Sequence, residues 1–105
     1  MENGIGFERY VDGDSRAAQA PAPSVGTWHH IAGVYDGSLL QLFIDGTLVE
    51  SANDGRPARV KRTILRGGYG WSDLAGAIRG TLDELAIYDK ALSAERIGAH
   101  FEAAK

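Results

Sequence analysis

The alternation of apolar and polar positions is sharpest between Trp28 and Ala52, and it predicts an antiparallel meander there. Trp28 to Tyr35 holds Trp, Ile, Val and Tyr, residue types that suit a pleated, half-buried surface. From Leu39 to Ile44 the side chains alternate. Leu40, Leu42 and Ile44 fall on one face, and Leu39, Gln41 and Phe43 on the other. Asp36-Gly37-Ser38 separates the two runs, and its glycine supplies the positive φ that such a hairpin requires. Asp45-Gly46 repeats the signal, so Thr47 to Ala52 folds back as a third strand. Trp28 and the Leu40, Leu42, Ile44 face are the expected core.

The flanks carry weaker periods. Residues 4–11, GIGFERYV, predict a strand; residues 12–15 a turn; residues 16–20 a short strand. Residues 20–26 hold Pro21 and Pro23, which cannot donate to a central ladder, and read as a loop. After a turn at Asn53-Asp54-Gly55 and Pro57, Val60 to Leu65 reads as a strand with basic residues outward. Gly67 to Gly76 is a glycine-rich loop with two aromatics, and Ile78 to Tyr88 the last long strand, bulged near Gly80. Then the period changes. Ser93 is placed to cap a helix, with Glu95 in its first turn near the positive end of the dipole. Ile97 and Phe101 make its apolar stripe, with Leu92 just before the cap.

Composition narrows the class. A chain of 105 residues suits one domain, and 14 glycines favour a turn-rich β fold over a helical one. A net charge of -3 lacks the basic footprint of non-specific nucleic-acid binding. The basic residues Arg56, Arg59, Lys61, Arg62 and Arg66 read as a solvated edge strand, where charge discourages aggregation. Without cysteine there is neither a disulfide framework nor a thiolate metal site. No apolar run approaches the ~20 residues of a membrane span. The first fifteen residues lack the basic and apolar regions of a signal peptide, and the compartment is not legible.

Three blocks, in this order and spacing, carry a resemblance: WHHIAGVYDG, then LQLFIDG, then IRGTLDELAIYDKALSAERI. Together they resemble the C-terminal half of a laminin-G-like, concanavalin A-like jelly-roll domain, over residues 26–98 and more weakly from residue 4. The resemblance implies an all-β, antiparallel two-sheet sandwich of about seven strands with a short C-terminal helix. Complete domains of that family are longer, and their opening strands lack a counterpart here, so a truncated or minimal version is expected.

Catalytic chemistry finds little support. His29 and His30 are adjacent, so on a strand they face opposite ways, and His100 has no partner spacing; each reads as a hydrogen-bonded structural histidine. Asp83 and Glu84 are likewise adjacent, whereas a retaining glycosidase holds two carboxylates about 5 Å apart. The Glu-x-Asp-x-x-Glu strand of the related glucanases is missing, as are a nucleophile elbow and a phosphate loop. Turn carboxylates occur at Asp12, Asp14, Asp36, Asp54 and Asp73, where aspartate commonly bonds its own backbone. The resemblance admits calcium at a sandwich rim, with Asp83 and Asp36 as its candidate ligands.

Binding chemistry is better represented. Tyr69 and Trp71 in the glycine-rich loop, and Phe43 on the outward strand face, offer flat surfaces on which sugar rings stack. Gln41, Asn53 and Asp73 would take the hydroxyls. The alternative for Trp71 is a buried cap on the sandwich end. The expected function, resting on the resemblance, is a non-catalytic carbohydrate-binding module. The rivals are a structural or protein-interaction domain without a small ligand and, more weakly, a glycoside hydrolase. Uncovered apolar residues and unpaired edges in a half-length sandwich point to a homodimer, against a compact monomer.

Overall fold

The computed structural model describes residues 4–11, 13–56 and 81–104. Among them are two antiparallel sheets and one helix. Strands β1 (Gly4–Val11) and β2 (Asp14–Pro21) form a hairpin, in register from Gly4 opposite Pro21 to Val11 opposite Asp14. The second sheet is the predicted meander: β3 (Ile31–Tyr35), β4 (Leu39–Ile44) and β5 (Thr47–Asn53), with β4 central. The hairpin packs on this sheet through β2 against β4 and β5, which makes a β-sandwich. Ala18, Ala20, Leu40 and Leu42 are buried between the sheets, with Ile5, Phe7, Tyr35 and Ala52 around them. Full burial of a leucine contributes roughly 1.5–3 kcal/mol, so Leu40 and Leu42 anchor this layer.

Local chemistry fixes the turns. Asp36 Oδ1 accepts the Ser38 and Leu39 N–H groups at 2.9 and 2.8 Å, and Gly37 follows with φ +101°. At the β4–β5 turn both central residues are left-handed, Asp45 at φ 51° and Gly46 at φ 80°, as the tightest hairpin connection demands. β5 carries one extra residue where β4 passes from Leu42 to Phe43, a bulge that kinks the outer strand.

Helix α1 (Ala94–Ala103) begins as the sequence predicts, with the Ser93 hydroxyl accepting the Arg96 N–H at 3.2 Å and Glu95 in the first turn. Its Ile97 is buried with Val34 and Phe43, flanked by Ala32 and Leu92, on the sheet face opposite the hairpin. A Cβ on Gly46 would lie 3.1 Å from Phe101, so the helix rests directly on the β4–β5 turn.

Four expectations need correcting. Phe43 is not outward: it is 3% exposed, because α1 covers the second face of β4 and leaves that strand buried on both sides. Trp28 is not core: it is 69% exposed. β4 ends at Ile44, and the N–H of Asp45 just beyond it donates to the His30 carbonyl at 2.8 Å, so the ladder has no partner for residues preceding His30. The strand expected to end at Tyr88 is not one over residues 81–88, which carry no ladder pairing. Leu82 and Leu85 are an odd number of positions apart and share no strand face, and Glu84 turns left-handed at φ 53°. Lastly, β2 is longer than the expected 16–20 strand and includes Pro21, tolerated at its terminus. The predicted strand at 60–65 lies outside the described residues.

Asp54 and Arg56 are the remaining surprise. Neither sits in solvent as a turn carboxylate or an edge cation. Asp54 is 3% exposed, and its oxygens accept Arg9 Nη1 at 2.9 Å and Arg56 Nε at 2.8 Å. Arg56 also donates to the carbonyls of Val11 and Asp14 at 3.3 and 3.0 Å, while Tyr35 Oη donates to the Asp54 carbonyl at 2.7 Å. The Arg9 guanidinium lies 4.0 Å from the Tyr35 ring centre, close enough for cation–π attraction. This cluster clamps the hairpin to the ends of β3 and β5.

Candidate functional site

The segment from Ala22 to His30 crosses from one sheet to the other, and it carries the most exposed aromatic ring flanked by polar groups among the described residues. Val25 and Gly26 form its turn, with Gly26 at φ 86°. The Ser24 and Thr27 hydroxyls lie 3.3 Å apart across that turn. Trp28 follows, lining an open groove of about 290 Å³ with Gly26, Thr27 and Thr81. Apolar ring, hydroxyls and exposed backbone are thus within one concavity.

His29 holds this segment in place. Its Nε2 donates to the Ser24 carbonyl at 2.8 Å and lies within 3.1 and 3.3 Å of the Ser24 and Thr27 hydroxyls. Its Nδ1 lies 2.7 Å from Asp45 Oδ2. The other oxygen of Asp45 accepts the His30 N–H at 2.9 Å. The Asp45 hydrogen bond, followed by the Ser24 carbonyl, raises the His29 pKa above its usual value. Reciprocally, the His29 hydrogen bond holds the Asp45 carboxyl below the usual range. His30 faces the other way as the adjacency predicts, its ring centre 6.2 Å from that of Phe101.

A family model of laminin G type, described as the concanavalin A-like lectin/glucanases superfamily, matches residues 2–98. The chain belongs to the concanavalin A-like lectin/glucanase superfamily. The crystal structure of an S-layer domain-containing protein from Clostridium thermocellum is similar, with a TM-score of 0.55 at 19% identity. The match covers 93% of this chain and 51% of that one, so the chain spans about half the length of that solved structure, and the likeness concerns the fold. A search of curated proteins gives no match.

Within this lectin/glucanase sandwich, none of the sequence-predicted site residues among the described ones lines the Trp28 groove. Phe43 is removed by burial under α1. Gln41 is half-buried in the middle of β4, and Asn53 is exposed at the end of β5. By register with Ser51 and Leu39, Gln41 and Asn53 share the sheet face that carries α1, and neither lines the Trp28 groove. Tyr69, Trp71 and Asp73 lie outside the described residues. Of the candidate calcium ligands, Asp36 spends one oxygen on two turn N–H groups, which lower its pKa, Leu39 first. Asp83 Oδ1 accepts the Glu84 N–H at 2.8 Å. No group of three or more His, Cys, Asp or Glu side chains is placed to hold a metal among the described residues. His100 packs against Tyr88, ring centres 5.5 Å apart.

Sequence reasoning missed Trp28 because Trp in an apolar run ordinarily reads as core. The signal was nevertheless present. Counting back from the Asp36–Ser38 turn sets Ile31 opposite Ile44, so Trp28 and His29 fall where the partner strand has already turned at Asp45-Gly46.

Proposed function

We propose that the chain is a non-catalytic binding module that takes carbohydrate in the Trp28 groove. The observation that carries this reading is an indole 69% exposed in a chain of superfamily fold, in a groove shared with Thr27 and Thr81. An indole face buries the apolar C–H surface of a sugar ring, while hydroxyls and backbone groups take the ring's polar edge. The described residues that line the groove, Gly26, Thr27, Trp28 and Thr81, include no carboxylate, and Asp83 and Glu84 are exposed on the stretch that follows Thr81. Titration of soluble β-glucan and chitin oligosaccharides, followed by tryptophan fluorescence, tests the reading. Trp28→Ala should abolish millimolar binding, whereas Trp71→Ala should retain it; the opposite pattern would move the site to the glycine-rich loop. The oligosaccharides should be recovered uncut.

One observation favours a second reading, an assembly domain. Leu82, Leu85, Ile87 and Tyr88 are each more than half exposed along one unpaired stretch. Exposed apolar residues in such density fit a partner surface. Sedimentation equilibrium over a hundredfold dilution separates the two readings, since a dimer built on this stretch dissociates when Leu85 and Ile87 are changed to serine.

A further inference from the structure

The two nitrogens of the His29 ring face two oxygens that can only accept. On one side stands the Ser24 carbonyl at 2.8 Å from Nε2, on the other the Asp45 carboxylate at 2.7 Å from Nδ1. A neutral imidazole has one N–H and one lone pair, so it can satisfy only one of them; the imidazolium satisfies both. Ser24 belongs to the turn that precedes Trp28, and Asp45 to the β4–β5 turn. His29 therefore spans the seam between a surface loop and the rigid sheet, next to the groove-lining Trp28.

We propose that His29, as the imidazolium, is the positioning residue that latches the Ser24–Trp28 loop onto the β4–β5 turn, so that the groove is ordered while the ring is protonated and loosened when it is not. Its consequence for sugar affinity rests on the reading of the Trp28 groove given above.

Among the described residues, the surroundings leave the latch to one counter-charge. From the turn, Asp45 is the charged group that faces the ring. The loop contributes a carbonyl and two hydroxyls, and the adjacent His30 is turned toward Phe101. On α1, Gly98 and Phe101 are the groups against Gly46, while His100 is engaged with Tyr88. Deprotonation with the remaining proton on Nδ1 costs the bond from Nε2 to the Ser24 carbonyl, and leaves at Nε2 a lone pair that takes only the longer, neutral hydrogen bonds of the Ser24 and Thr27 hydroxyls, 3.1 and 3.3 Å away. The Ser24 side is the weaker, because the carboxylate offers a full charge. The loop end consequently loosens, held by the neutral hydroxyl contacts alone, while His29 remains tied to the turn. The carboxylate raises the His29 pKa and so moves the release upward from the ordinary histidine value.

The test reads the latch without any sugar and then with one. Nitrogen-15 NMR of the intact chain should show protons on both His29 ring nitrogens at pH 6, with a titration midpoint above 6.5 that coincides with loss of amide-exchange protection at residues 24–29. In Asp45→Asn the midpoint should fall to about 6.5 or below, the ordinary value. His29→Gln should leave the loop equally mobile at every pH, and His29→Arg, a permanent double donor, should keep it ordered through pH 9. A single protonated ring nitrogen at pH 6, or loop order that ignores the titration, would overturn the latch. With a bound oligosaccharide from the panel above, affinity should weaken at least fivefold between pH 6 and 9 in the native chain and stay level in His29→Arg. Absence of any binding at pH 6 with the latch titrating as described would refute the carbohydrate reading and leave the latch supported.

Discussion

At Asp54 a carboxylate with almost no solvent contact is kept ionised by two guanidinium groups, one from each side of the sandwich seam. The Arg56 hydrogen bond is the largest cause of its strongly lowered pKa. Because the folded value is depressed, the stabilisation is complete above the unfolded carboxylate value of about 3.9 and is lost as pH falls through and below it. Acid unfolding followed by circular dichroism should therefore begin near pH 4 in the native chain. Asp54→Asn should melt lower at pH 7 and show a shallower acid dependence, since the charge that titrates is gone while the half-buried Arg9 and Arg56 lose the carboxylate between them. None of this was legible beforehand. In Asn53-Asp54-Gly55 an aspartate reads as a turn residue that bonds its neighbours, and it does accept the Arg56 N–H at 3.2 Å. The residue that changes its role is Arg9, a hairpin and a loop away, and no local pattern reports that contact.

Among the elements, β3 shows how a small residue sets a layer's position. Gly33 lies under the Phe7 ring of β1, and a Cβ there would stand 2.4 Å from Phe7 Cδ1. The ring cannot retreat without lifting β1 from the sheet. Gly33→Ala should cost about 1–3 kcal/mol in denaturant unfolding, by overpacking, and Phe7→Leu in the same chain should recover part of it. On the opposite face, Ile97→Ala should cost about 2–5 kcal/mol, since that side chain fills the contact between α1 and the Val34–Phe43 surface. The elements themselves were largely legible. Turn glycines, the Asp-Gly pair and the Ser93 cap act within a few residues, so β1, the meander and α1 fall where the pattern puts them. What alternation cannot supply is the number of layers. It assigns Phe43 the face opposite Leu42 correctly, yet whether that face meets water or a helix depends on where residues fifty positions later are placed. The same blindness made Trp28 look interior, and it made residues 82–88 look like a strand, because apolar content speaks for burial only once a partner is found.

At the scale of the whole molecule, the described residues form a sandwich whose core lies in two parts, one between the sheets and one under α1, with β4 belonging to both. Its superfamily was readable from three separated blocks, because they mark the strands and caps on which the fold rests. The candidate site was not, because it is built on the crossing between sheets rather than on either one. That crossing has a mechanical meaning. Along this chain, residues 22–30 are the tether that joins the β1–β2 hairpin to the meander, and Val25 at its tip is 97% exposed. Everything else holding the two parts together is non-covalent: the interleaved core, the Asp54 clamp and the ring of Phe7 over Gly33. There is no cysteine to add a second bond. Cleavage between Val25 and Gly26 would convert folding from a unimolecular event into the association of a hairpin with its receptor. The severed pieces should co-elute at micromolar concentration and melt at a temperature that rises with concentration, as any bimolecular complex does. Supplying the hairpin as a separate peptide would then measure, as a dissociation constant, the free energy that closes the sandwich.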